Sequence, residues 1–148
     1  SGFCLCVDKK YKKVSMEIQE PEFRCGDNWE ELATLFHYEI DKNDQDWTYI
    51  VAESERIDEY IQAYDTTVTN EDTKFSLVEM IIQALTDQAS NEIMKEKWKT
   101  VRELLDKDFE LNKYTIYYWC CWDNDDINDC WEVAPLMREF WIEKTLQK

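Results

Sequence analysis

Apolar positions recur along this chain with two periods, one of two residues and one of three to four. Near the start, Phe3, Leu5 and Val7 alternate with Cys4 and Cys6, and Val14, Met16 and Ile18 alternate with Lys13, Ser15, Glu17 and Gln19. A period of two puts each set on one side of a pleated strand. The pattern therefore predicts a β-hairpin turning over Asp8, Lys9 and Lys10 and ended by Pro21. The same alternation from Trp47 to Ala52 predicts a third strand. The run YTIYYWCCWDNDDINDCWEV, from Tyr114 to Val133, reads as a central hairpin. Ile116, Tyr118, Cys120 and Trp122 would occupy one face, and Thr115, Tyr117, Trp119 and Cys121 the other. The stretch Asp123-Asn124-Asp125-Asp126 would turn the chain, and Cys130 to Val133 would return antiparallel.

The longer period predicts helices. Asn28 with Glu31 resembles a capping box ahead of Trp29, Leu32 and Phe36. Ser54 is placed to cap a helix whose Ile57, Tyr60, Ile61 and Tyr64 form the inward stripe, with Glu55, Asp58, Glu59 and Gln62 outward. Ser76 with Glu79 makes a second capping box, with Phe75 and Met80 as a hydrophobic staple, and Leu77, Val78, Ile81, Ile82, Ala84 and Leu85 give that helix a wide apolar face. After Ser90, Met94, Trp98, Val101 and Leu105 form a stripe opposite the mixed charges of Glu96, Lys97, Lys99, Arg102 and Glu103. Pro135 suits the first turn of a last helix, with Leu136, Met137, Phe140 and Trp141 inward and Arg138, Glu139 and Glu143 outward. The predicted class is α+β: a single domain over residues 1–148, built on a mainly antiparallel sheet of about five strands packed with about five helices.

Composition narrows the picture. The 148 residues include only two Gly and two Pro, and 44% are hydrophobic, so neither a linker nor a low-complexity tract is expected. The longest apolar run, Ile116 to Trp122, falls well short of the roughly 20 residues that cross a bilayer. Phe3 to Val7 is too short for a signal-peptide core, and Ser1-Gly2 reads as a cloning scar. The six cysteines are expected as free thiols in a reducing, cytoplasmic setting, because Cys4 and Cys6 share a strand face and a core of this size needs no staples.

Tests for chemistry are mostly negative. Neither Gly2 nor Gly26 belongs to a Gly-rich phosphate loop, and no cofactor is expected. His37, the only histidine, reads as an ordinary partly buried side chain. A Cys120 or Cys121 nucleophile paired with His37 lacks any local protease signature. Zinc at Cys120, Cys121 and Cys130 is disfavoured by the ligand spacing. Calcium at Asp123, Asp125, Asp126 and Asp129 lacks the Gly and Glu of an EF-hand, so no metal is expected.

Charge is the positive signal. The chain carries 33 acidic and 17 basic residues, and residues 25–72 hold 14 acids against 2 bases, a net −12 of the total −16. A surface of that sign disfavours direct nucleic-acid binding, which needs a basic footprint. It suits a basic protein partner. Asp41, Asp44, Asp46, Glu55, Asp58, Glu59 and Asp65 are the candidate protein-binding residues, and the expected function is that of a non-enzymatic acidic inhibitor, in the manner of a bacterial immunity protein or antitoxin covering a nuclease-type toxin. The alternatives are a nucleic-acid mimic and a small enzyme or ligand-binding domain whose pocket is walled by Tyr117, Trp119, Trp122 and Trp131.

Overall fold

The structure, a computed structural model, describes residues 18–26, 28–39 and 46–146. Among them there is no strand. The described residues form seven α-helices: α1 (Trp29–Phe36), α2 (Trp47–Val51), α3 (Ile57–Thr66), α4 (Glu71–Thr86), α5 (Asn91–Lys107), α6 (Phe109–Trp119) and α7 (Ala134–Thr145), with 3-10 turns at Ser54–Arg56 and Ile127–Asp129. The fold is all-helical, which overturns the expected α+β class and its antiparallel sheet. The first predicted hairpin lies outside the described residues apart from Ile18 and Gln19, which are irregular.

The other two predicted strands fail for a physical reason. Strand preference measures how a side chain packs on a pleated surface, so tertiary burial overrides it. In the predicted central hairpin both strand faces were apolar, a pattern that carries no alternation of polarity. Phe109, Asn112, Thr115, Ile116, Trp119 and Cys120 are all buried, and their spacing of three, three, one, three and one follows one side of a helix. Trp47 to Val51 likewise buries Trp47 and Thr48 and leaves Ile50 64% exposed, a one-sided rather than alternating pattern.

Two compact units divide the chain, Phe23–Asn112 in one and Ser1–Glu22 with Lys113–Lys148 in the other. In the first, α4 is the hub and packs against α1, α2, the Ser54–Arg56 turn, α3 and α5. A helix surrounded in this way must be apolar nearly all round, and Phe75, Leu77, Val78, Met80, Ile81, Ile82, Ala84 and Leu85 are all buried. Its start corrects the second capping box. Asn70 is the N-cap, its side chain accepting from the Asp72 and Thr73 backbone N–H groups, with Glu71 and Asp72 complementing the positive end of the helix dipole. Ser76 is instead buried within the helix, where its Oγ makes no hydrogen bond among the described residues and faces Gly26 so closely that a Cβ there would lie 2.2 Å away.

The remaining helix starts divide between expectation and correction. The helix expected after Ser90 is α5, and Ser90 is its N-cap, with Oγ accepting from Ile93 N–H at 3.2 Å. Ser54 does not cap α3 but opens the 3-10 turn before it, and Asn28 makes no capping bond to α1, donating instead to Thr73 Oγ1 at 2.7 Å. The stripes on α3 and α5 are buried as predicted. The single histidine ends α1: His37 has φ 61°, the left-handed conformation in which a helix usually places Gly. His37→Gly should therefore raise stability by about 0.5–1 kcal/mol, the relief of left-handed strain less the extra freedom of the unfolded chain. Urea unfolding would show it as a higher midpoint at unchanged slope, and a lower midpoint would refute it.

In the second unit the expected outward position of Arg138 is wrong: it is only 3% exposed. Its Nε donates to the Cys120 carbonyl at 2.6 Å, and Nη2 donates to the carbonyls of Cys121 and Asn124 at 2.7 and 3.2 Å. The guanidinium also lies over Trp122, 4.7 Å from the ring centroid. These carbonyls follow the end of α6, where the last turn of a helix leaves acceptors without intrahelical partners and carries partial negative charge. Cys121, at φ 59°, turns the chain away there.

Candidate protein-binding face

The outward side of α3 continues the 3-10 turn before it. Glu55, Asp58, Glu59 and Asp65 are all exposed, and intervals of three, one and six residues keep them on one side of the helix. The other predicted residues are placed differently. Asp41 and Asp44 lie outside the described residues. Asp46 is exposed at the N-cap position of α2, where its carbonyl accepts from Tyr49 and Ile50 N–H, so it belongs to another element.

Two of the four carboxylates on the α3 face already hold an internal cation. Arg56 forks onto Glu59 with Nε and Nη2 at 2.9 and 2.8 Å, and its Nη1 donates to Glu53 at 3.1 Å. Asp58 takes Lys97 Nζ on both oxygens, at 2.9 and 2.8 Å, linking α3 to α5. Glu55 has only the hydroxyl of its neighbour Ser54, and Asp65 makes no ion pair among the described residues. Unbalanced charge is therefore strongest at Glu55 and Asp65, near the two ends of the face.

Arg56 organises the start of this face. Its guanidinium lies 5.0–5.8 Å from the ring centroids of Phe36, Tyr38 and Tyr60. The Tyr38 and Tyr60 hydroxyls share a hydrogen bond, Tyr38 also donates to Glu53 at 3.0 Å, and the Glu53 N–H donates to the Tyr60 hydroxyl. Burial first, and then the bonds to Tyr60 and Glu53, hold the Tyr38 phenol protonated well above its ordinary range. Arg56 hydrogen bonds hold the Glu53 and Glu59 carboxyls below theirs. Depressed carboxyl values mean that this contribution to stability is present above the ordinary carboxylate range and is lost as pH falls through the folded values.

A further carboxyl lies away from that face. Glu79, on α4, accepts from the Tyr49 hydroxyl of α2 at 2.9 Å, and burial pushes its pKa up from 4.5 to about 7. A raised carboxyl value favours the protonated folded form, so stability is greatest below pH 4.5 in this respect and falls as pH rises towards 7, where the folded state also ionises. Glu79→Gln, which retains an acceptor for Tyr49, should stabilise the protein at pH 8 by about 2 kcal/mol, allowing for partial exposure, with the gain vanishing near pH 4. Urea melts at the two pH values check this, and an equal effect at both would sink it.

Among the described residues no group of three or more His, Cys, Asp or Glu side chains is placed to hold a metal ion, and no helix is long and apolar enough to cross a membrane. The acidic stretch after α6 is built of local turns, with Asn124 Oδ1 accepting from Asp126 N–H and Asp126 Oδ1 from Asn128 N–H. Of the four aromatics proposed as pocket walls, Trp119 and Trp131 stack on each other, whereas Tyr117 meets Trp141 and Trp122 meets Arg138.

Sequence reasoning missed Arg56, Tyr38, Glu53 and Glu79. A signal for Arg56 was available, since it is one of only two bases in residues 25–72 and an isolated cation among acids tends to be claimed internally. Glu79 gave none, because its burial depends on the α2 segment read as a strand. Comparison with protein-family models, curated proteins and solved structures finds no match to the chain.

Proposed function

We propose that the protein is a binding module for a basic protein, engaging it through the outward face of α3, and that it acts as a cytoplasmic inhibitor of the immunity-protein or antitoxin kind. The observation that carries this reading is the net −12 of residues 25–72 together with Glu55, Asp58, Glu59 and Asp65 exposed along one helix face. Oriented carboxylates of one sign speed encounter with a cationic surface and disfavour anionic partners. The pairs made by Asp58 and Glu59 fix two carboxylates in place, leaving Glu55 and Asp65 to offer the uncompensated charge.

The same geometry selects the test. Reversing Glu59 would set a cation against Arg56, and reversing Asp58 would set one against Lys97, so either change confuses stability with binding. Glu55→Lys with Asp65→Lys avoids both pairs and should alter stability by less than about 0.5 kcal/mol. Once a cognate partner is isolated from the source cell, the double variant should associate at least about tenfold more slowly at low salt, with a flatter dependence on ionic strength. Equal rates and equal salt dependence for wild type and variant would end the proposal.

A further inference from the structure

Eight residues separate Cys121 from Cys130, and the chain between them folds back so that the Cys130 thiol meets the Cys121 backbone. The Cys130 Sγ lies 3.8 Å from the Cys121 carbonyl oxygen. Arg138 holds this arrangement from below. Its Nη2 donates to the carbonyls of Cys121 and Asn124 and lies 3.7 Å from Cys130 Sγ, fixing both ends of the loop to α7. Both cysteines are half-buried, within reach of a small reagent. Cys120 differs, being fully buried with its thiol donating to the Ile116 carbonyl within α6.

We propose that Cys121 and Cys130 form a redox modification site, a dithiol that closes reversibly to a disulfide by exchange with a small aliphatic disulfide. In the first step the Cys121 thiolate attacks one sulfur of the reagent, the reagent S–S bond breaks, and one small thiolate leaves and takes up a proton. The Cys130 thiolate then attacks the Cys121 sulfur of the mixed disulfide and expels the second small thiol. Two electrons pass from the protein dithiol to the reagent, and both thiol protons end on the two small thiols released.

The order of the steps follows from the surroundings of Cys130. Burial first, and then the neighbouring Cys121 thiol, push Cys130 up to about 12, so it is a poor first attacker. Capping Cys121 removes the influences that come from that thiol, while burial and the Asp129 charge still raise Cys130 against the lowering effect of the Arg138 guanidinium. Cys130 is suited to resolve the mixed disulfide by its placement against Cys121, not by its acidity. Intramolecular attack by a group already in place outcompetes a second molecule of small thiol. Closure would tie the acidic loop of Asp123, Asp125 and Asp126 to the end of α6 by a covalent bond.

The test uses the full chain in a buffer of reduced and oxidised glutathione, followed by acid quench, alkylation and digestion on the N-terminal side of aspartate. That digestion separates Cys121 from Cys130. Mass spectrometry should find a Cys121 peptide joined to a Cys130 peptide, lost on dithiothreitol treatment. The link should persist in Cys120→Ala and be absent from Cys121→Ser and Cys130→Ser, and Cys130→Ser should instead keep glutathione on Cys121. No link in the wild-type protein, a link that survives Cys121→Ser, or stable glutathione adducts on wild-type Cys121 would each overturn the proposal.

Discussion

Arg138→Met is expected to destabilise the protein by about 2–5 kcal/mol, because leaving a buried acceptor without its donor costs about 1–3 kcal/mol and this side chain serves three backbone carbonyls, of which that of Cys121 keeps the Asn124 N–H. The loss is a large share of the roughly 5–15 kcal/mol that holds a domain folded. Met matches the aliphatic stem of Arg in length, so the difference isolates the guanidinium. Arg138→Lys should recover less than half of the loss, since an ammonium carries the charge but not the planar fork that reaches Cys120 and Cys121 together. Urea unfolding of the two variants decides the matter. A cost below about 1 kcal/mol for Met would mean that water replaces the guanidinium with little penalty.

Ile82→Ala is the second large expected effect, at about 2–5 kcal/mol, from lost burial and the cavity left behind. Ile82 is 0% exposed on α4, the hub of the Phe23–Asn112 unit, where neighbouring helices on several sides limit collapse into the space. Ile93 on α5, at 39% exposure, supplies the control. The same truncation there should change stability by less than about 0.5 kcal/mol. If the two variants melt alike, α4 is not the centre of the unit's core.

What the sequence disclosed depended on whether polarity changed along the period. On α3 and α5 apolar and charged residues sit on opposite sides, and both stripes were legible residue by residue, including the exposure of Asp58 and Glu59. On α6 the apolar residues run almost without interruption from Tyr114 to Trp122, and a run without polar punctuation is compatible with either period. Its helical spacing emerges only when Phe109 and Asn112 are counted with it. Ser76 and Glu79 had the right interval for a capping box, but Asn70, followed by two acids, offered the helix an earlier start and Phe75 was needed in the core. Arg138 was misread for a related reason: charge predicts exposure unless an exposed-looking cation has unmet carbonyls to serve, and those arise from where another helix ends. The acidic face itself was visible as composition. Its internal pairing was not, because Arg56 and Lys97 reach it through the fold.

The stacking beside the Arg138 site also gives the second unit its own optical signature. Trp119 and Trp131 have ring centroids 4.4 Å apart at an interplanar angle of 49°, and Tyr118 lies 5.4 Å from Trp131. Transition dipoles this close and inclined to each other couple, so the pair should produce a paired positive and negative band in circular dichroism that separate rings would not. Trp131 is the more accessible partner, at 38% exposure against 1% for Trp119, and any opening of the loop that carries it would erase the bands while helical signals persist. Local release of this loop can thus be recorded apart from global unfolding, without attaching a label to the chain.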